Sequence, residues 1–309
     1  MYCYDEKHPE GCYSFRRGYG AHKAIYQLAN IPNISNMWCY KLDIHDYFNS
    51  ISIPILLPIL KEIIDDDIHL YNFFEKILIE DKAYYEEKII EESRGIMAGT
   101  PISPFFANIY LKEIDTYFKN EKIPYARYSD DIILFANNKE DLDKYKNKLI
   151  SFLKKYKLTI NPKKEKEISP NESWEYLGIE YKEGNIDLSV ATKDKLKGKI
   201  RRKARSIRRW MLKRQATEDK GMRVMIKVFN RKFFETGIDH ELTWSRWFFP
   251  IVTVKNGFEE IDNYLQQYIR YIPTGKHNKK NYKTKYSDLK ELGYRSLVNE
   301  YYKFKNSII

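Results

Sequence analysis

Two short segments place carboxylates where an apolar strand would end. One is Leu42-Asp43-Ile44-His45-Asp46-Tyr47-Phe48; the other is Tyr128-Ser129-Asp130-Asp131, followed by Ile132-Ile133-Leu134-Phe135. Burying a carboxylate beside such side chains is costly unless a cation or partner neutralises it. Two strand ends of this kind side by side make a hard-oxygen site suited to Mg²⁺. A pair of such ions, about 3.5–4 Å apart, activates an attacking hydroxyl and stabilises a leaving phosphate oxygen. The Tyr-x-Asp-Asp pattern alone is weak, since roughly one sequence in eleven of this composition contains it by chance, so its surroundings must decide. Other chemistries do not compete: His45 has no second histidine or cysteine at ligand spacing, and no serine or cysteine nucleophile arrangement is present. Asp65-Asp66-Asp67 reads as a helix end or surface loop.

The elements that must hold these carboxylates follow from periodicity and breakers. Trp38 to Ile44 is a β-prone run, and Ala126 to Ala136 reads as strand, turn, strand with the carboxylates in the turn. Ala21 to Asn30 has the pattern of a short helix, and Ile55 to Asn120 is mostly helical, interrupted by a Gly- and Pro-containing segment from Gly95 to Pro104. Asp141 to Tyr156 has helical spacing, and Trp174 to Tyr181 with Ile186 to Val190 reads as a hairpin around Gly184. Beyond Thr192 the chain turns helical and basic, which divides it into residues 1–192 and 193–309.

A chain of 309 residues, 43% hydrophobic and 31% charged, is long enough for two lobes and too apolar for disorder. Its best membrane candidate, Ile51 to Ile64, carries Pro54, Pro58, Lys61 and Glu62 and is too short to span. Three cysteines without metal spacing, and no charged-then-apolar leader, lead us to expect a cytoplasmic protein. The formal charge is +11, and Tyr, Phe and Trp are abundant, a combination that suggests nucleic acid as partner. The charge is concentrated: residues 193–232 hold 17 Lys or Arg against three acids. There Ile200, Ala204, Ile207 and Met211 repeat at helical spacing, with Arg201, Arg202, Lys203, Arg205, Arg208 and Arg209 on the remaining faces, as in a helix that binds duplex phosphates.

Read in order, the chain presents Tyr13-Ser14-Phe15-Arg16-Arg17-Gly18-Tyr19-Gly20, the Asp43 strand, and Gly95-Ile96-Met97-Ala98-Gly99-Thr100-Pro101-Ile102-Ser103-Pro104. The Tyr-Ser-Asp-Asp turn, Leu158-Thr159-Ile160-Asn161-Pro162-Lys163-Lys164 and Trp174-Glu175-Tyr176-Leu177-Gly178 follow. This ordered set, covering about residues 12 to 190, resembles the reverse transcriptase family, in particular the bacterial branch that includes group II intron, retron and antiphage-defence enzymes. The resemblance implies an α+β, right-hand polymerase with reduced fingers, a ferredoxin-like palm and a helical thumb. It implies catalytic and metal-binding roles for Asp43 and Asp130, with Asp131 in support and the carbonyl of Ile44 lending an oxygen to the metal. Phe48 falls where the family keeps a ring under the incoming sugar, to exclude a 2′-hydroxyl. Gly99 to Pro104 would pass close to nucleotide and template, Lys164 matches the lysine near the triphosphate, and Tyr176-Leu177-Gly178 matches the hairpin that positions the primer end.

Three departures accompany the match. Ala98 stands where the family usually has Gln, Glu165 stands where Thr or Ser follows the lysine, and little sequence precedes the Phe-Arg motif. Arg16 and Arg17 are then candidates either for the triphosphate or for template phosphate. The implied activity is RNA-directed DNA polymerisation with two Mg²⁺ ions, Mn²⁺ being the alternative. The implied partners are an RNA template, a DNA primer and product, and dNTP, with a noncoding RNA or a protein completing the fingers and no membrane. Antiphage defence is the expected setting. The alternatives are template-independent or protein-primed DNA synthesis, and a non-catalytic palm-fold scaffold that binds nucleic acid.

Overall fold

The computed structural model describes residues 4, 8–80, 82–85, 88–91, 95–96, 99–235 and 243–307. Contacts divide the chain into two units, Met1–Trp174 and Glu175–Ile309.

The first unit is built on an antiparallel sheet in the order β4-β5-β1-β6, comprising β1 (Trp38–Asp43), β4 (Tyr125–Tyr128), β5 (Asp131–Ala136) and β6 (Lys166–Ile168). Helices separate β1 from the β4–β5 hairpin, and another separates that hairpin from β6. This is the split βαββαβ topology of a ferredoxin-like palm. β5 is central and buried on both faces, which explains its unbroken apolar run. Ile132 and Leu134 join Tyr40 and Leu42 in the main core, whereas Ile133 and Phe135 are buried outside that cluster, and the Phe135 ring meets Trp174 edge-on at 5.4 Å.

Helix α1 (Ala21–Ala29) packs on β4 through its buried face of Ala21, Ala24, Ile25 and Leu28. The main core is completed by α2 (Tyr47–Ser50), α3 (Ile53–Ile63), α4 (Ile68–Ile79), α5 (Ser103–Tyr110), α6 (Lys112–Asn120) and α7 (Lys139–Lys155). Asn138 starts α7 by accepting from the Asp141 amide, and Asp67 caps α4 by accepting from Leu70, so the Asp65–Asp67 run is the helix end its sequence suggested. One element departs from the expected helical stretch. β2 (Lys82–Tyr85) and β3 (Lys88–Glu91) form an antiparallel hairpin there, since adjacent Tyr84-Tyr85 and Ile89-Ile90 suit a strand and show no helical spacing.

The second unit opens on the meander β7 (Trp174–Tyr176), β8 (Ile179–Lys182) and β9 (Asn185–Leu188), β7 straddling the boundary. The division falls ahead of the 192/193 boundary expected from composition, for a physical reason. Thr253 and Ile186 exchange hydrogen bonds, and Asp187 accepts from the Gly257 amide, so the meander is tied to the helices that follow it. These are α8 (Val190–Lys213), α9 (Glu218–Phe234), α10 (Trp244–Phe248), α11 (Asn256–Thr274), α12 (Tyr286–Glu291) and α13 (Leu297–Asn306). Ile200, Ala204, Ile207 and Met211 form a buried stripe on α8, as their spacing predicted, which Leu196 extends, and α8 packs mainly on α11. Arg201, Arg202, Lys203, Arg205 and Arg209 are exposed, but Arg208 turns inward and donates to the carbonyls of Ile272 and Pro273 at the end of α11. Among the described residues no helix is long and apolar enough to cross a membrane.

Candidate active site

The register of β1 and β5 sets Asp43 opposite Asp131, and the β4–β5 connection is a two-residue turn, Ser129-Asp130. Ser129 takes φ 58°, the left-handed conformation that lets a short turn follow the twist of its strands. The amide of Ile44 donates to the carbonyl of Asp130 at 3.0 Å, which draws the turn against the end of β1. On the other side the Asn161 amide donates to the Asp43 carbonyl at 2.8 Å and the His45 amide to the Thr159 carbonyl at 2.8 Å. None of these bonds uses the carbonyl of Ile44.

The side chains make an oxygen-rich group with two lysines among the acids. Asp43 is buried; its Oδ2 lies 2.6 Å from Lys164 Nζ, and Asn161 Nδ2 donates to its Oδ1 at 3.3 Å. Lys41 Nζ is 3.4 Å from Asp131 Oδ1. Burial pushes the Asp131 carboxyl up to about 6 against the pull of Lys41, with Asp130 and Asp43 adding to the rise. Asp130 is raised too, by burial and then by the Asp43 carboxylate beside it. Its hydrogen bond to Asp43 raises Lys164. Asp130 and Asp131, whose ionisation burial and neighbouring carboxylates oppose, together with an Asp43 that already attracts an ammonium group, fit a divalent cation, and an all-oxygen donor set suits Mg²⁺.

Another cluster has tighter geometry and does not fit a metal. Among the described residues, His8, Cys12 and Asp115 are the one group of three such donors whose ligand atoms lie within 4.8 Å of one another. Asp115, however, is already held by the fully buried Arg127 through Nε at 2.9 Å and Nη2 at 2.5 Å. Burial would raise the Asp115 carboxyl, but the Arg127 charge overcomes it and holds it at about 2. A cleft of about 760 Å³, lined in part by Ile59, Lys112, Tyr117, Lys148 and Phe152, includes none of the three strand-end carboxylates.

The other expected residues are distributed unevenly. Phe48 is half-buried, with its ring edge-on to Tyr47 at 5.8 Å, and its carbonyl accepts from the Ile96 amide at 2.9 Å. Gly95 is required there: it has φ 61°, and a Cβ would meet the Phe48 carbonyl at 2.2 Å. Gly99 is exposed with φ 92°, and Ala98 lies outside the described residues. Arg16, expected at a phosphate, is instead buried, because its guanidinium donates to the carbonyls of His8, Pro9 and Cys12; Arg17 is exposed. Glu165 accepts from the Tyr40 hydroxyl at 2.7 Å. Tyr176, Leu177 and Gly178 belong mainly to the second unit's meander. Sequence reasoning missed Asn161 as a partner of Asp43, and it missed Ser14, Asn108, Asp115 and Arg127 around the turn. For Arg127 a signal existed, a charged residue inside the expected strand that leads into the carboxylate turn.

The family model for reverse transcriptase (RNA-dependent DNA polymerase) matches residues 4–181, which include the whole four-stranded sheet and all three carboxylates. The chain belongs to the reverse transcriptase family. Within that family it is 28% identical, over 126 residues, to the retron Ec83 reverse transcriptase of Escherichia coli; the match spans 38% of this chain and 39% of that relative. Among solved structures, telomerase from Candida albicans in complex with a fragment of telomeric RNA is similar at a TM-score of 0.47 and 12% identity, covering 96% of this chain and 55% of that one. The foamy viral protease-reverse transcriptase in complex with RNA/DNA hybrid is similar at 0.39 and 15% identity, covering 81% and 28%. As a reverse transcriptase family member, the chain has its ferredoxin-like sheet as the palm, with Asp43, Asp130 and Asp131 at one end of that palm.

Proposed function

We propose that the protein is an RNA-directed DNA polymerase that extends a DNA primer with dNTPs on an RNA template, acting in the cytoplasm in bacterial antiphage defence. The observation that carries this reading is the convergence of Asp43 and Asp130, joined through the Ile44-to-Asp130 backbone bond, in a chain of this family. Asp43 and Asp130 would hold two Mg²⁺ ions, with Asp131 and the Ile44 carbonyl in support. Bound there, the ions would lower the pKa of the primer 3′-hydroxyl and neutralise charge on the phosphates during in-line displacement of pyrophosphate. The backbone bonds from Ile44 to Asp130 and from Asn161 to Asp43 would hold the carboxylate-bearing segments in place as charge develops.

Lys164 would move from Asp43 to the triphosphate when nucleotide enters, and Phe48 would close the space that a 2′-hydroxyl needs. Arg17, being exposed, is the better placed of the two arginines for a phosphate. The exposed basic residues of α8 would track the phosphates of the template–product duplex. A noncoding RNA serving as template, or a protein that completes the fingers, would be the cellular partner.

Sequencing the RNA and DNA recovered with the tagged protein from cells tests the proposal, with an Asp130→Ala, Asp131→Ala double variant as control. DNA that appears only with wild type and is complementary to a bound RNA supports it. DNA that matches no RNA would move the reading to untemplated synthesis, and equal RNA with no DNA from either protein would leave a binding scaffold.

A further inference from the structure

The turn that carries Asp130 rests on a buried polar group with no direct part in the chemistry. Arg127 and Asp115 are both fully buried, and such an ion pair is weak evidence for stability because desolvation offsets its attraction. Its geometry suggests a different use. Besides gripping Asp115, Arg127 donates from Nη1 to the Ser129 carbonyl at 3.2 Å and from Nη2 to the Asn108 carbonyl at 3.3 Å. The Ser129 amide donates to Ser14 Oγ at 2.8 Å; that hydroxyl donates to Asn108 Oδ1 at 3.1 Å, and Asn108 Nδ2 donates to the Ser14 carbonyl at 2.7 Å.

Ser14 is delivered to this place by backbone pairing. Residues 11–13 run parallel to β4, with the Arg127 amide donating to the Gly11 carbonyl and the Tyr13 amide to the Arg127 carbonyl. Ser129, whose φ of 58° is unfavourable for a residue with a Cβ, therefore has its N–H and its C=O each fixed by a buried side chain. The next residue is Asp130, with its carbonyl tied to Ile44.

We propose that Ser14 and the Arg127–Asp115 pair are positioning residues for the cation site: they hold the Ser129–Asp130 turn so that the Asp130 carboxylate is set against Asp43 before any cation binds. This rests on the polymerase reading of the Asp43–Asp130 pair. Removing a hydrogen-bond partner of a metal ligand typically changes metal affinity on the order of tenfold or more, and Ser14 and Arg127 act one residue further back, on the peptide groups of Ser129 that precede Asp130. A network that only fills the core would alter folding and leave affinity alone.

The hydroxyl of Ser14 isolates the effect. Ser14→Thr and Ser14→Val add the same bulk at a fully buried position, but only the first keeps an acceptor for the Ser129 amide. Mn²⁺ binding to the full chain without nucleotide is followed by electron paramagnetic resonance, beside the thermal unfolding midpoint of each variant. The expected result is a Kd for Mn²⁺ about tenfold weaker in Ser14→Val than in Ser14→Thr at comparable midpoints, with Ser14→Thr within about twofold of wild type. Equal affinities in the two variants overturn the proposal. Should both fail to fold, Ser14→Ala against wild type makes the same comparison without added bulk, and wild-type affinity there overturns it equally. Asp130→Ala is the control that separates the two levels. If wild type shows no Asp130-dependent Mn²⁺ binding, the reading of the site falls and this proposal with it; if such binding exists and ignores Ser14, only the positioning role falls.

Discussion

Lys164 Nζ lies 2.6 Å from Asp43 Oδ2, so the carboxylate expected to hold a metal carries an ammonium group from the segment that follows α7. The lysine side chain is 59% exposed, so solvent screens much of its attraction to Asp43, whose own side chain is only 10% exposed, and the pair's contribution to stability is modest. Its importance is therefore to be sought in ligand binding. Lys164→Met should leave the unfolding midpoint nearly unchanged and raise the KM for dNTP on the order of tenfold, the loss of about one charge-assisted hydrogen bond to phosphate. Mn²⁺ binding without nucleotide should be unchanged or tighter, since a competitor for Asp43 is gone. Steady-state extension and a direct metal titration check both halves; an unaltered KM would remove Lys164 from the nucleotide site.

Asp131 gives a prediction about pH. Burial raises its carboxyl to about 6, above the ordinary value of 3.8, so ionising it opposes folding. The sign follows directly: its contribution to stability is fully present below about pH 4 and is lost as pH rises through about 6. In chelator, Asp131→Asn should be more stable than wild type at pH 7.5 by on the order of 2 kcal/mol, with the gap closing as pH falls to 4. Saturating Mg²⁺ should shrink or reverse the gap, because the cation binds the folded wild type and not the unfolded chain. Denaturant titrations at the two pH values, with and without Mg²⁺, measure this. A gap independent of pH would show that Asp131 is not the group responsible.

How much of this was legible beforehand depended on whether a residue broke a local pattern. Asp43, Asp130 and Asp131 stood out because carboxylates at the ends of apolar strands need an explanation, and the β1–β5 register places Asp43 opposite Asp131. The stripe of α8 was legible for the same reason, being a repeat in one element. The Arg127–Asp115 pair was not, because its partners come from a strand and a helix brought together only by tertiary packing. The surroundings of Arg16, a candidate for a phosphate contact alongside Arg17, were not legible, since nothing in its neighbours announces that three backbone carbonyls will surround it. The contact units part at Trp174 and Glu175 although composition changes only after Thr192, because the hydrogen bonds that bind the meander to α11 and its approach involve Thr253 and Gly257, far along the chain.

Phe48 should decide sugar selectivity if the family's motif carries over. Its ring is half-buried against Tyr47, and its backbone is fixed by the Ile96 amide under the close approach of Gly95. Phe48→Ala should keep the fold and increase rNTP over dNTP incorporation on the order of a hundredfold, about 2.7 kcal/mol of lost steric discrimination. Gly95→Ala should act differently: with φ 61° and a Cβ 2.2 Å from the Phe48 carbonyl, the loop must shift, lowering extension with either sugar. Single-nucleotide extension with matched rNTP and dNTP separates the two effects. Unchanged discrimination in Phe48→Ala would return that ring to a packing role.

The basic face of α8 is the last expectation to be tested, and salt is the instrument that isolates it. Arg201, Arg202, Lys203, Arg205 and Arg209 are exposed, while Arg208 is engaged at the end of α11 and should not contribute. Each residue that neutralises a duplex phosphate adds about 0.9 to the slope of log affinity against log salt, so Arg201→Gln with Arg205→Gln should lower that slope by roughly two. Arg208→Gln should leave the slope unchanged and instead lower the unfolding midpoint, since two carbonyls at the C-terminus of α11 lose their donor. Binding of an RNA/DNA hybrid, measured by anisotropy over a range of salt concentrations, distinguishes phosphate contact from general basicity. If the Arg201, Arg205 pair and Arg208 shift the slope alike, the charge of this helix acts only as a diffuse field.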